Sequence, residues 1–177
     1  MICISLWQPW ASALFAPRPD GSPLAIKPDE TRHWPMPDRF IGKEIGLHAA
    51  KRDTPDEREF WEDMVSGDEM FEQAFATIGI KSYADLPRGC LIGTVVFGSP
   101  VRTHLAKPDE VAKCWGNHGP DRWSWPVVRR DLWAAPVPCL GRQGFFKYQD
   151  PDSTWPIPKS VGTRSGSKPS SMRWKRP

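Results

Sequence analysis

Proline sets the tightest limit on what this chain can fold into. There are 20 prolines in 177 residues, about twice the usual share. Each one lacks a backbone donor and is unwelcome inside helices and central strands. Long uninterrupted helices are therefore not expected over most of the length. Short strands and helices joined by Pro- and Gly-rich turns are. ICISL (2–6) reads as a strand, followed by a helix starting near Pro9 with Trp10, Ala13 and Leu14 on one buried face. ETRHW (30–34) and EIGLHAA (44–50) read as strands. TPDE (54–57) is a helix start: Thr54 caps, Pro55 takes the first helical position and Glu57 completes a capping box. The helical stretch breaks at SGD and resumes as EMFEQAFATIG, ending on Gly79. PRGCLIGTVVF is a turn into an apolar strand whose glycines suggest bending or close backbone approach. KPDEVAKCW reads as a short helix, RWSWPVVRRDLW as a strand with an edge or bulge at Pro126, and GFFKY as the last strand.

Helices inserted between strands, rather than one after each, argue for an α+β fold. A small mixed or antiparallel β-barrel is the natural closure for such a sheet. Residues 1–150 are long enough for one domain with its own core. Residues 151–177 shift to Pro, Ser, Gly and basic residues and read as a flexible tail.

The charge is uneven. The total is 24 − 21 = +3, but residues 159–177 hold six Lys or Arg and no acid, so the remainder is 18 − 21 = −3. The tail suits sequence-independent contact with nucleic acid or a merely solubilising role. The cysteines at 3, 90, 114 and 139 stand singly, without a CxxC pair, so no metal site and no cofactor is predicted. Reduced thiols, no 18-residue apolar run and no signal-peptide pattern in MICISLWQPW lead to the expectation of a cytoplasmic protein with no membrane contact. There is no GxGxxG, Walker loop or HExxH.

The densest polar stretch is KPDETRHW (27–34). Strand alternation puts Glu30, Arg32 and Trp34 on one face and Thr31 and His33 on the other. Lys27 and Glu30, three apart across a bend, are spaced to pair, and a carboxylate between two cations stays ionised. One reading is a structural ion pair, contributing about 0–1 kcal/mol at a surface. The other is a site in which Lys27 and Arg32 bind a phosphate or oxyanion while Glu30 positions or deprotonates a group. Trp10, Trp34, Trp123 and Trp125 are the aromatic candidates, a stacked base contributing about 1–3 kcal/mol. Trp125 reads as core and Trp123 shares its parity, while Trp10 fits core or stacking. Gln8 suits a base edge or a helix cap. His48, ending an apolar strand, reads as a satisfied core or rim histidine, with catalysis as the alternative. Arg122 and Arg142 fit phosphate contacts or ordinary exposed positions.

SLWQPWASAL, KPDETR, LHAAK, PRGCLIGTV, GPDRWSW and PVPCLGRQGFFK, in that order from Ile2 to about Tyr148, resemble the ASCH domain, a relative of the PUA fold. The resemblance implies a PUA-like small mixed β-barrel with peripheral helices and a cleft lined by the Lys-x-x-Glu-x-Arg segment. Proteins of this superfamily are associated with RNA, with modified bases and with translation or transcription coactivation. Similar small members hydrolyse N4-acylated cytidines, and others cleave RNA. In the similar deacylases a Lys activates a Thr three residues on. Lys27 matches that Lys, but Glu30 stands in the Thr position and Thr31 falls on the opposite face. Here Glu30 would act as a general base on water, or hold Lys27.

The leading expectation is therefore binding of RNA or a modified nucleobase. The ligand-binding set is Gln8, Trp10, Thr31, Arg32, Trp34, His48, Arg122, Trp123 and Arg142. The second is a hydrolase with Lys27 and Glu30 catalytic, assisted by a divalent metal if it is a ribonuclease. The third is an adaptor whose exposed aromatics bind protein.

Overall fold

The computed structural model describes residues 1–149. The expected flexible tail, 151–177, lies outside the described residues. In chain order the elements are β1 (Ile2–Leu6), α1 (Trp10–Ala13), β2 (Asp29–Arg32), β3 (Glu44–Ala49), α2 (Pro55–Met64), α3 (Glu69–Thr77), β4 (Cys90–Phe97), β5 (Val101–Arg102), α4 (Thr103–Ala106), α5 (Glu110–Trp115), β6 (Trp123–Pro138) and β7 (Phe145–Lys147). Short 3-10 turns occupy Asp38–Phe40 and Tyr83–Asp85. The helices are short, as the proline content requires.

The seven strands form one mixed sheet in the order β2-β6-β4-β3-β1-β7, with β5 also on β6. The sheet curls into a half-barrel of the α+β class. β1 and β3 are parallel and the remaining pairs antiparallel. β6 is longer than its sequence pattern suggested because it serves two sets of neighbours. Its start pairs with β2 and β5, and from Val127 onward it pairs with β4. Pro126 sits at this handover, where the β4–β6 register slips between Val96 and Phe97, as a residue without an N–H should. The second slip falls at Gly93, where a Cβ would collide with the Asp131 carbonyl and the Phe15 ring.

Alternation along β1 sends Ile4 and Leu6 into the main core with Leu14, Ile45, Leu47, Ile92, Phe97 and Trp125. Cys3 points to the other face, in a small cluster with Leu91, Trp133 and Phe146. The helices form a second core around Ile26, Trp61, Phe71, Phe75 and Trp115. Residues 27–32 run between these two cores.

The edge strands β2 and β7 approach each other through rings. Trp34 meets Trp125 at 4.6 Å and Phe145 at 5.8 Å between centroids, and Phe40 meets Phe145 at 4.5 Å. β2 ends at Arg32, so strand alternation does not carry on to Trp34. That ring turns to this seam, and the Trp125 indole N–H donates to its carbonyl at 3.2 Å.

Candidate functional site

A cavity of about 1190 Å³ opens where the end of β1, the start of α1, β2 and the segment 138–144 converge. Among the sequence-predicted residues it brings together Trp10, Lys27, Glu30, Thr31, Arg32, His48, Arg122 and Arg142. Gln8, Trp34 and Trp123 are not at it. Gln8 is wholly buried, with its amide donating to Ser12 Oγ and the Pro87 carbonyl and accepting from the Ser12 amide. It fixes the start of α1 and, wholly enclosed, is out of reach of a base edge. Trp34 belongs to the aromatic seam. Trp123 packs against the main core beside Trp125, with the Arg102 guanidinium 4.2 Å from its ring centroid.

Lys27 and Glu30 are both buried, and their roles differ. The Lys27 ammonium donates to the carbonyls of Asp29 at 2.8 Å and Trp115 at 3.1 Å, and pairs with Glu30 Oε2 at 3.1 Å. Two hydrogen bonds and one ion pair surround it. Lys27 thus anchors the start of β2 to the end of α5. Glu30 Oε1 pairs with Arg32 Nε at 2.8 Å. The carboxylate is therefore gripped on one oxygen from below and on the other from its own strand face, as alternation predicts. Arg32 reaches on to the Ser5 carbonyl at 3.5 Å and stays partly exposed.

Thr31 also borders the cavity, but its hydroxyl accepts from the Asn117 amide at 3.1 Å. That bond ties the loop after α5 to β2. Arg122 donates to the Thr31 carbonyl at 3.1 Å and lies 2.8 Å from His33 Nε2.

At the other end, β1 and β3 place Ser5 opposite His48. Ser5 Oγ lies 3.0 Å from His48 Nδ1, and His48 Nε2 lies 3.2 Å from the Cys139 carbonyl. A carbonyl only accepts, so Nε2 carries the proton. Burial pushes the His48 pKa down, partly offset by its bond to Cys139, so the ring is neutral near pH 7. The Arg142 carbonyl also lies 3.0 Å from Ser5 Oγ, so the one hydroxyl proton is shared between Nδ1 and this carbonyl. Gly141 lies so close that a Cβ there would collide with the His48 ring and Ser5 Oγ. The pair therefore works as a latch that seats segment 138–144, and with it exposed Arg142, along the cavity.

Sequence reasoning missed Ser5, Trp7, Lys51, Arg88 and Asn117, all of which line the cavity. Trp7 is 52% exposed, and the Arg52 guanidinium lies 3.8 Å from its ring centroid. Arg52 in turn pairs with Glu57 at 2.9 Å, the residue that accepts from the Thr54 amide at the start of α2. The capping box thus reaches the cavity rim through Arg52 and Trp7. The signals were present in SLWQPW and LHAAK, since Trp7 and Lys51 stand inside those motifs. Arg88 lies on its own turn's carbonyls and 4.4 Å from the Tyr83 ring centroid, with Nε and Nη2 buried and lacking hydrogen-bond partners. Trp10 packs on Phe60 at 4.6 Å and keeps part of its surface open.

Among the described residues that line the cavity, Glu30 is the one carboxylate, set against Lys27, Arg32, Lys51, Arg88, Arg122 and Arg142. Such a surface draws in anions. Among the described residues, no group of three or more His, Cys, Asp or Glu side chains is placed to hold a metal ion. No helix among them is long and apolar enough to cross a membrane. No protein-family model matches the chain, and no curated protein matches it.

Proposed function

We propose that this chain is an ASCH-like domain of the PUA-like class that binds RNA or a modified nucleobase in the cavity over β2. One observation carries the reading: a single buried carboxylate, Glu30, held by Lys27 and Arg32 in a hollow otherwise charged by arginine and lysine. Trp7 and Trp10 add ring surface at the same hollow, and aromatic rings accept bases of any sequence. Cations supply phosphate contacts, an acceptor supplies base readout, and rings supply stacking. The hydrolase alternative is weaker, because a Lys that activates a hydroxyl must face one, and the Lys27 ammonium is turned to two carbonyls and the Glu30 carboxylate.

The test is binding of a labelled single-stranded RNA at several salt concentrations. Affinity should fall as salt rises, the RNA should be recovered intact, and Arg142→Ala should lower the salt slope by about one. No binding at low salt would overturn the proposal. Cleaved or deacylated product that vanishes in a folded Lys27→Ala variant would replace it with the hydrolase.

A further inference from the structure

We infer that the base read in this cavity is guanine, recognised through its N1–H and N2 amino group by the Glu30 carboxylate. The inference rests on the nucleic-acid reading of the cavity and goes beyond it by naming the base. It starts from what Glu30 has left to offer. A carboxylate accepts and does not donate, and its two oxygens offer about four lone-pair sites. Lys27 lies against Oε2 at 3.1 Å and Arg32 against Oε1 at 2.8 Å as ion pairs. Each oxygen keeps acceptor capacity for a ligand, so a group that uses both must bring two adjacent donors.

The surrounding charge narrows the choice. Cationic ligands with paired donors, such as guanidinium or amidinium groups, meet a lining of Lys51, Arg88, Arg122 and Arg142 and are repelled. Among the four RNA bases, guanine alone presents two neighbouring donors on one edge. Adenine and cytosine present an amino group beside an acceptor nitrogen, and that nitrogen would face a carboxylate oxygen. Uracil presents one N–H between two carbonyls. Guanine also carries O6 beside its N1–H. Arg32 Nη1, next to the Glu30 pair, makes no hydrogen bond among the described residues and is available to such an acceptor. The Trp7 and Trp10 rings share the cavity and provide stacking surface.

The experiment compares trinucleotide RNAs of the form U-X-U, with X as guanosine, inosine, adenosine, cytidine or uridine, titrated against the full chain by isothermal calorimetry. Inosine keeps N1–H and O6 and lacks only the N2 amine. The expected result is tightest binding of the guanosine oligomer. The inosine oligomer should be weaker by roughly tenfold or more, the loss for one hydrogen bond to a charged acceptor. Glu30→Gln, with its fold checked by circular dichroism, should bind all five within a few-fold of one another. If that variant does not fold, the five-way comparison on the unaltered chain decides alone. Equal binding of guanosine and inosine oligomers, or a preference for another base, overturns the guanine assignment and leaves the cavity reading standing. A guanine preference that survives in folded Glu30→Gln overturns the role of Glu30. Failure of all five to bind removes the cavity reading as well.

Discussion

Asp29 and Glu30 are neighbours on one strand, equally buried, and opposite in consequence. Asp29 faces inward to a closed set of partners. Ser124 donates to its Oδ2 through a very short hydrogen bond, and His118 Nε2 lies 3.0 Å from the same oxygen. Burial alone would raise the Asp29 pKa, but the bond from His118, the Lys27 ammonium and the Ser124 hydroxyl together hold it below the usual carboxylate range. Glu30 faces the cavity, and its partners are cations that leave part of each oxygen open. Burial therefore does not tell an acid closed off by its partners from one left open to a cavity. What tells them apart is whether the partners use up the oxygens, and whether the open side meets a hollow or a packed wall.

The comparison can be broken most directly with two isosteric variants. Asp29→Asn should cost about 3–5 kcal/mol in urea unfolding, the usual loss when one member of a buried ionic set is removed, with RNA affinity per folded molecule unchanged. Glu30→Gln keeps an acceptor for Lys27 and should cost less, about 1–3 kcal/mol. The reverse ranking would dissolve the distinction.

The acid limb of stability sharpens it. Asp29 is depressed in the folded protein from 3.8, so its contribution is complete above that value and is lost as pH falls through the folded value. Asp29→Asn should flatten the fall in melting temperature below about pH 4.

His48 supplies the smallest effect. Its folded pKa lies below 6.5, so the unfolded chain takes up the proton first. Its contribution is therefore full above about 6.5 and declines as pH drops toward the folded value. His48→Gln should remove a shallow loss of stability that sets in below about pH 6.5, read from melting curves. An unchanged slope would show that the ring titrates alike folded and unfolded.

Local relations were legible in the sequence, and distant ones were not. Glu30 and Arg32 share a face because they stand two apart on a strand, and the pattern DETR states that outright. The α2 cap at Thr54 and the break at Pro126 follow from the residues themselves. The pairing of Lys27 with Glu30 was legible from their spacing, but its other partner, the Trp115 carbonyl, lies 88 positions away and was not. The Ser5–His48 latch depends on a segment that crosses over it from residue 139 onward. Gln8 fitted either a base edge or a helix cap, and Ser12 four residues later was the clue to the internal bond. Trp34 was assigned to the wrong wall because the strand stops two residues before it.

The ring seam between β2 and β7 carries one more implication. Both are terminal strands of the sheet, only four and three residues long, and a bare sheet margin is an invitation to another polypeptide. Trp34 and Phe145 fasten the two margins together without a peptide ladder, so each guards the other from recruiting a stranger. Phe145→Ala should therefore show itself first as clumping on storage or mild warming, seen by light scattering, while freshly purified protein still binds its ligand.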